Sequence, residues 1–350
     1  MVVYNFYMQT FADKLEVVKM ATLKDVAKLA DVDVSTVSRA LNNTSYVHPE
    51  TKARILAAVK ELSYTPNVLA QGLRQGKRHT IGVVVPRLHM TVFAATTQGI
   101  EEEARKRGYA TLICNTEDDA KIERESLNRL RNGFVDGIII TGTGRNSRII
   151  RDIKTSGLAV TQVIRKQIDN ISSVTVDYKA CGYEAVKYLS EKGCSEIGLI
   201  NGSMKLSPYK ERYDGYQRAL KEMGLSETCA VSEASVHSIE YGYQCAMELL
   251  AQNPNLDAIM AATDIQGIGA MRALKESEIR VPDEVRLISL TGDVISGMLE
   301  TSMTSLEMPA HEMGVKAAAM TIEEIEAPSD QKPTPQHLVF SSQLVERESG

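Results

Sequence analysis

Two patterns in this 350-residue sequence predict an α/β protein with a small helical domain at its N-terminus. The first is a set of short helix patterns, separated by turn residues, between residues 20 and 66. The second begins at Ile81, where short apolar runs alternate with amphipathic helices, as is typical of parallel sheets covered on both faces. Because this alternation occurs in two successive series, we expect two similar lobes with a ligand cleft at the carboxyl ends of their strands.

Composition and cysteine usage indicate a globular protein without a metal centre or cofactor. Hydrophobic residues make up 43% of the chain and charged residues 24%, which are ordinary values for folded domains. The chain is too long for one ordinary core. Its five cysteines show no CxxC pair and no metal-ligand spacing, so we expect reduced core thiols in a cytoplasmic protein. No apolar run reaches the ~18 residues that a membrane span needs.

Charge is unevenly distributed along the chain. The net charge is −5, yet residues 20–78 hold nine Lys and Arg against five Asp and Glu, and residues 1–19 are balanced. The acidic surplus therefore lies in residues 79–350. A basic N-terminal module on an acidic body is typical of a DNA-binding headpiece attached to a domain that does not touch DNA.

Residues 1–19 differ from the organised sequence that follows them. They lack the basic start, apolar middle and small-residue cleavage site of a secretory signal. Met20 would be a natural start codon, because the ordered patterns begin at Thr22. We therefore expect a disordered or non-native extension here, with an ordinary flexible arm as the alternative.

The first helix patterns after Met20 describe a helix-turn-helix. Thr22 can cap a helix over residues 23–30, with Asp25 as the partner in a capping box. A short turn follows, and a second helix over residues 34–41 would enter the major groove of DNA in such a motif. A third helix begins at Pro49, a residue favoured at the first helical position. On pattern alone, the alternative is a three-helix cap with a hydroxyl-rich, solvated face.

Three sequence segments favour the DNA-binding interpretation: TLKDVAKLADVDVSTVSRALN, PETKARILAAVKELSYTPN and LAQGLRQGKRHTIGVVVP. They resemble the lac repressor/gal repressor family of bacterial transcription regulators, and a looser similarity extends to the C-terminus. The resemblance implies a helix-turn-helix headpiece at 20–66, a hinge helix and linker at 67–79, and an effector-binding and dimerisation domain at 80–350. That domain would have the two-lobed architecture of periplasmic sugar-binding proteins.

The resemblance assigns DNA contacts residue by residue. Val34, Ser35 and Arg39 match positions that read bases. Chemistry agrees, since Arg can bond a guanine edge twice, Ser can bond any base, and Val can meet a thymine methyl group. Other family positions contact phosphates, which fixes the register on DNA without reading its sequence. The residues that match these positions are Thr36, Ser38, Asn42 and Thr51.

Residues 67–74 match the family's hinge helix, which forms when paired headpieces meet on an operator. Leu73 matches the leucine that inserts between central base pairs from the minor groove and kinks the DNA, and Ala70 lies on the same face. The alternative is a linker with an incidental leucine, because Gly72 weakens a helix by about 1 kcal/mol.

The family's cleft positions predict the effector-binding residues. Arg212 matches the arginine that commonly grips the effector, and a guanidinium suits sugar hydroxyls or a carboxylate. Asp264, with Thr263, matches a position where Asn-Asp is usual, and Asp177 lies at a crossover between lobes. Each of these could instead cap a helix or form a surface ion pair. Phe93 is expected to fill an aromatic position after the first strand.

Two departures from the family pattern affect the expected identity of the effector. Thr291 occupies a position where the family usually has an effector-binding acid, and the usual Asn-Pro-Phe after the first strand is missing. We therefore expect a sugar or phosphosugar of an uncommon kind. Carried over from the family, the first lobe takes about residues 80–177 and 306–328, and the second takes about 178–305 and 336–350.

Two other classes of protein fit parts of the sequence. A nucleotide-binding oxidoreductase would use Gly142 and Gly144 after a strand, but Ser147 stands at the third glycine position, and no catalytic Ser/His/Asp set is evident. A sugar-binding transport protein would share the body but not the headpiece. We therefore expect a non-enzymatic repressor that binds a palindromic operator in double-stranded DNA as a homodimer.

Overall fold

The computed structural model describes residues 21–42, 45–64, 78–231, 238–292, 294–328 and 330–350. The chain divides into two compact units, residues 1–78 and 79–350. Every strand in the described ranges lies in the second unit. None of the helices described is long and apolar enough to cross a membrane.

The described part of the first unit is helical. Helix α1 begins with the predicted capping box: the Asp25 amide donates to the Thr22 hydroxyl at 3.4 Å, and the Asp25 carboxylate accepts from the Thr22 amide at 2.8 Å. The turn at Asp31 (φ 51°) separates α1 from α2. The helices pack their apolar faces around Val37 and Ile55, both fully buried. The bounds are α1 Leu23–Leu29, α2 Val34–Asn42 and α3 Pro49–Glu61.

The first lobe of the second unit is a six-stranded parallel sheet in the order β11-β5-β4-β3-β1-β2. Strands β1 and β3 are continuous apolar runs because the sheet is covered on both faces. The bounds are β1 Thr80–Val85, α4 Thr91–Lys106, β2 Ala110–Asn115, α5 Ala120–Arg131, β3 Gly137–Ile140, α6 Ser147–Thr155, β4 Ala159–Val163, β5 Ser172–Val176, α11 Ala310–Glu326 and β11 His337–Phe340.

The second lobe repeats this architecture, with strand order β12-β10-β9-β8-β6-β7. Its strands are parallel except for β12, which pairs antiparallel with β10. The bounds are α7 Tyr178–Glu191, β6 Ile197–Asn201, α8 Ser207–Met223, β7 Thr228–Val231, α9 Ile239–Gln252, β8 Ala258–Ala261, α10 Asp264–Glu276, β9 Arg286–Ser289, a 3₁₀ helix Val294–Met298, β10 Thr304–Glu307 and β12 Gln343–Val345.

Strand pairing corrects the predicted lobe boundaries near the C-terminus. Strand β10, with Leu306 and Glu307, pairs with β9 and β12 in the second lobe, so the first lobe resumes after residue 307, close to the predicted boundary near 306. Strand β11 pairs with β5, so it belongs to the first lobe although we assigned all of 336–350 to the second. The chain therefore crosses between lobes after β5, after β10 and after β11.

Candidate DNA-reading surface and effector cavity

Helix α2 presents a polar face that suits contact with DNA. Val37 and Ala40 are buried against the other helices, whereas Ser35 and Arg39 are exposed. Val34, at the start of the helix, packs partly against the headpiece core. Arg39 folds back along its own helix, where its Nε donates to the Ser35 carbonyl oxygen at 3.3 Å and its Nη2 donates to the Thr36 hydroxyl at 3.1 Å.

The residues predicted to bind phosphate lie on α2 and α3. Thr36, Ser38 and Thr51 are partly exposed, and Asn42 is exposed and donates from its side-chain amide to the Ser38 hydroxyl at 3.4 Å. These side chains have no role in the headpiece core. The two residues predicted to reach the minor groove, Ala70 and Leu73, lie outside the residues that the structure describes.

A cavity of about 40 Å³ lies between the lobes of the second unit, where the strands of both sheets end. A single water molecule needs roughly 10–15 Å³ by this measure, so a sugar can enter only when the walls move apart. Five of the six residues predicted to bind the effector line it: Phe93, Arg212, Thr263, Asp264 and Thr291. The other wall residues are Met90, Thr91, Val92, Ile164, Arg165, Tyr178, Pro208, Tyr209, Ile265 and Met308.

Arg212 projects from α8 toward the strand ends of the second lobe. Its side chain is 2% exposed, and it donates to the carbonyl oxygens of Ala262 at 3.2 Å and Leu290 at 2.8 Å. Its guanidinium lies 4.9 Å from the centre of the Tyr178 ring, a cation–π distance. Helix α7 can approach this part of α8 because Gly182 has no side chain: a Cβ there would lie 2.1 Å from the Arg212 carbonyl oxygen.

Asp264 is the first residue of α10, and its carboxylate is held by three hydroxyl groups. It accepts from Ser289 at 2.6 Å, Thr291 at 2.8 Å and Ser296 at 2.9 Å. Thr263 caps the same helix by accepting from the amide of Gln266. Thr291, at a position where the family usually has an acidic residue, therefore donates a hydrogen bond to the carboxylate of Asp264.

Asp177 is not part of the cavity wall. It is exposed, and its carboxylate accepts from the amide of Ala180 at 2.8 Å, which caps α7. Asp177 therefore has the helix-capping role that was the alternative in the sequence analysis. It does not reach the cavity as an effector contact would require, because its side chain turns toward its own helix.

Sequence reasoning missed Arg165, Tyr178 and Tyr209. Arg165 is 3% exposed and forms a two-point ion pair with Asp118, at 2.6 and 2.9 Å. Burial alone would lower the pKa of this guanidinium, but Asp118 raises it overall. Arg165 also lies 5.8 Å from the centre of the Phe93 ring. Its position two residues after β4, at the carboxyl end of the sheet, was a signal that could have indicated it.

Tyr178 and Tyr209 contribute aromatic rings to the wall. Burial raises the pKa of Tyr209 to about 12, and it also raises the pKa of Tyr178. Both phenols are therefore neutral near pH 7. Tyr178 donates to the Ile164 carbonyl oxygen at 2.8 Å, which fixes its ring beneath Arg212.

The glycine turn that suggested a nucleotide-binding enzyme holds an internal carboxylate instead. Glu123 is fully buried and accepts from the amide of Thr143 at 2.7 Å, the hydroxyl of Thr143 at 2.9 Å and the side-chain amide of Asn146 at 2.8 Å. The turn between Gly142 and Gly144 is thus already occupied by protein oxygens, where a cofactor phosphate would have to bind.

A helix-turn-helix unit joined to a two-lobed binding unit defines a DNA-binding regulator that responds to a small ligand. The chain belongs to the lacI family of bacterial regulatory proteins. The model of that family's DNA-binding region matches residues 22–67, and the model described as periplasmic binding proteins and sugar binding domain of the LacI family matches residues 78–341. It is therefore a DNA-binding transcription regulator and not an enzyme.

Characterised relatives are similar along most of the chain. The ribose operon repressor of Halalkalibacterium halodurans is 31% identical over 307 residues, which cover 88% of this chain and 91% of that protein. The transcriptional repressor PurR of Pasteurella multocida is 29% identical, covering 89% and 94%.

Solved structures show the same architecture. The regulator CelR in complex with cellobiose has a TM-score of 0.71 and 26% identity, covering 94% of this chain and all of that chain. The lac repressor dimer bound to operator and an anti-inducer has a TM-score of 0.84 and 21% identity, covering 95% and 99%, which establishes a shared fold.

Proposed function

We propose that this protein represses a carbohydrate-utilisation operon in the cytoplasm, and that a sugar or phosphosugar between its lobes controls its affinity for a palindromic operator. The observation that carries the proposal is a cavity between the lobes that is lined by arginine, carboxylate and aromatic side chains, in a chain that also has a helix-turn-helix. The relatives support the carbohydrate class, since one represses a ribose operon and another binds cellobiose.

On this proposal the exposed face of α2 reads the operator. Arg39 and Ser35 donate to base edges, Val34 meets a thymine methyl group, and the hinge residues Ala70 and Leu73 enter the minor groove. The hydroxyl and amide side chains around them hold phosphates, which fixes the register: Thr36, Ser38, Asn42 and Thr51.

The effector acts by favouring one arrangement of the lobes. Phe93 and Arg165 line the cavity from the first lobe, whereas Arg212, Thr263 and Asp264 line it from the second. A ligand that contacts both sets binds more tightly when the lobes are closed around it. It therefore shifts the population toward that arrangement in proportion to its differential affinity.

The second unit offers surfaces for a second copy of the chain. Strand β2 is at the edge of its sheet, and Leu112 and Ile113 are 43% and 42% exposed there. An exposed apolar edge strand promotes association unless it is covered. On the second lobe, Val294 and Met298 of the 3₁₀ helix are 70% and 76% exposed. We propose that the homodimer covers these residues.

The test uses the full chain and random double-stranded DNA, from which bound fragments are selected and sequenced. We expect a palindromic consensus, and release of that DNA by at least one sugar or phosphosugar in a panel. Selection of no consensus, or binding of equal strength to every sequence, would contradict the proposal.

A further inference from the structure

We propose that the effector carries an anionic group, a carboxylate or a phosphate, and that Arg212 binds it. The inference rests on the proposed effector role of the cavity and narrows it to charged carbohydrates. Three charged side chains line the cavity: Arg165, Arg212 and Asp264. The charges of Arg165 and Asp264 are balanced by other groups of the protein, whereas that of Arg212 is not.

Arg165 is neutralised by its own lobe. Its two terminal nitrogens face the two carboxylate oxygens of Asp118 at 2.6 and 2.9 Å, and both side chains are almost fully buried. This two-point geometry is the strongest pairing that a guanidinium makes with a carboxylate. Arg165 therefore brings no net charge to a ligand.

Asp264 is likewise satisfied without a ligand. Its two oxygens accept three hydroxyl hydrogen bonds, from Ser289, Thr291 and Ser296. It is also the first residue of the 13-residue helix α10, where the partial positive charge of the helix N-terminus stabilises a carboxylate. Its negative charge is therefore balanced locally.

Arg212 has no such balance. Among the described residues no carboxylate forms an ion pair with it; its guanidinium bonds to two backbone carbonyl groups, the Met308 sulfur and the Cys181 sulfur, and it lies over the Tyr178 ring. Its Nε is buried and has no hydrogen-bond partner. A buried cation without a counterion is costly. A carboxylate or phosphate in the cavity would supply that counterion in the geometry that arginine binds best.

The rest of the wall indicates that the anion is attached to a carbohydrate ring. Phe93, Tyr178 and Tyr209 offer apolar faces close to Arg212, and the hydroxyl of Thr291 and the backbone of Thr263 lie at the same strand ends. Aromatic faces suit the C–H face of a sugar, while the arginine selects its acidic substituent. The inferred class is thus sugar acids and sugar phosphates.

Matched pairs of ligands test this in the full chain. Thermal unfolding and calorimetry compare D-gluconate and D-glucuronate with D-glucose, and D-ribose 5-phosphate with D-ribose, with ionic strength equalised by sodium chloride. We expect at least one anion to raise the melting temperature, and its neutral counterpart to bind at least ~10-fold more weakly because the buried guanidinium would remain unpaired. The comparisons with D-gluconate and D-glucuronate test for a carboxylate, and the comparison with D-ribose 5-phosphate tests for a phosphate.

The variant Arg212→Gln removes the charge, and Arg272→Gln makes the same change at an exposed arginine of α10 that pairs with Glu276. We expect the first to lose the preference for the anion and the second to retain it. The inference is overturned if no anion stabilises the wild-type protein, if a neutral sugar binds as well as its acid, or if Arg212→Gln keeps the preference. Should Arg212→Gln fail to fold, the wild-type comparison still decides.

Operator binding, measured in parallel, separates this inference from the proposed function. Release of the operator by a neutral sugar would leave the proposed function standing and overturn the anionic effector. Absence of sequence-specific DNA binding would instead contradict the proposed function, and the ligand comparison would remain informative about Arg212.

Discussion

On the proposed function, Arg39 exchanges contacts within its own helix for contacts with DNA. Its guanidinium donates to the Ser35 carbonyl oxygen and the Thr36 hydroxyl, two groups one turn earlier in α2. The exchange favours DNA only where the base offers better acceptors than the helix does. Guanine provides two acceptors on one edge in the major groove. If Arg39 reads a guanine as proposed, its contacts within the helix are expected to increase discrimination against other bases.

We predict that Arg39→Ala weakens operator binding by about 1–3 kcal/mol and relaxes the preference at one base pair in each half-site. The measurement compares affinity for the operator and for single-base variants. Arg272→Ala, which makes the same charge change in the second unit, serves as control. Equal losses on every sequence would show that Arg39 contacts phosphate rather than a base.

Thr291 is predicted to stabilise the second unit through Asp264. Its hydroxyl donates to the carboxylate at 2.8 Å and accepts from the Asp264 amide at 3.1 Å. Thr291→Val keeps the shape but removes both bonds, so we expect a loss of about 1–3 kcal/mol in the free energy of unfolding. Thr291→Ser retains the hydroxyl and should lose much less. Denaturant titration measures both, and a Thr291→Val protein as stable as the wild type would refute the role.

At single positions the sequence indicated the cavity residues of the second lobe better than those of the first. Arg212, Asp264 and Thr291 were identified by their resemblance to family positions, and they meet at the cavity. Arg165 was missed because the family resemblance did not single it out, although its place just after β4, at the carboxyl end of the sheet, was a signal for the cavity. Asp177 was misplaced because a residue that ends a strand can also cap the next helix.

Among the elements, fully buried apolar strands were easier to predict than the strands next to the crossovers. Strands β1, β3 and β4 are buried on both faces and are evident from their composition. Strands β10, β11 and β12 have three or four residues each, and their sheet is decided by backbone pairing with distant partners. The error in the lobe boundary near residue 336 follows from this.

If residues 67–74 form the predicted hinge helix, operator binding should be sensitive to two neighbouring residues, Gly72 and Leu73. Leu73→Ala should reduce specific affinity and the bend of the DNA but hardly change non-specific binding, which depends on phosphate charge and salt. Gly72→Ala should favour the helix and strengthen operator binding by up to about 1 kcal/mol. Operator affinity, with and without effector, and bend angle by gel mobility measure these effects. If Leu73→Ala changes neither affinity nor bend, residues 67–78 are only a tether.

At the scale of the whole molecule, dimerisation couples two weak recognition events. One headpiece contacts one half-site, and joining two headpieces makes the second contact intramolecular, at a high effective concentration. If the dimer covers the edge strand β2 as proposed, that strand affects DNA binding although it contacts no DNA. Its apolar residues Leu112 and Ile113 can be changed without disturbing the core, because both are exposed in the monomer.

We predict that Leu112→Lys converts the protein to a monomer at micromolar concentration and weakens operator binding at least ~10-fold, because a lysine buried in the interface would have no counterion. Sedimentation measures the oligomeric state, and unfolding curves verify that the monomer is intact. Phe134→Lys places the same charge on another exposed apolar residue of the first lobe, 61% exposed and outside β2, and should leave the dimer unchanged. A Leu112→Lys protein that remains dimeric would move the interface away from β2, and a monomer with undiminished operator affinity would mean that two linked headpieces are not required.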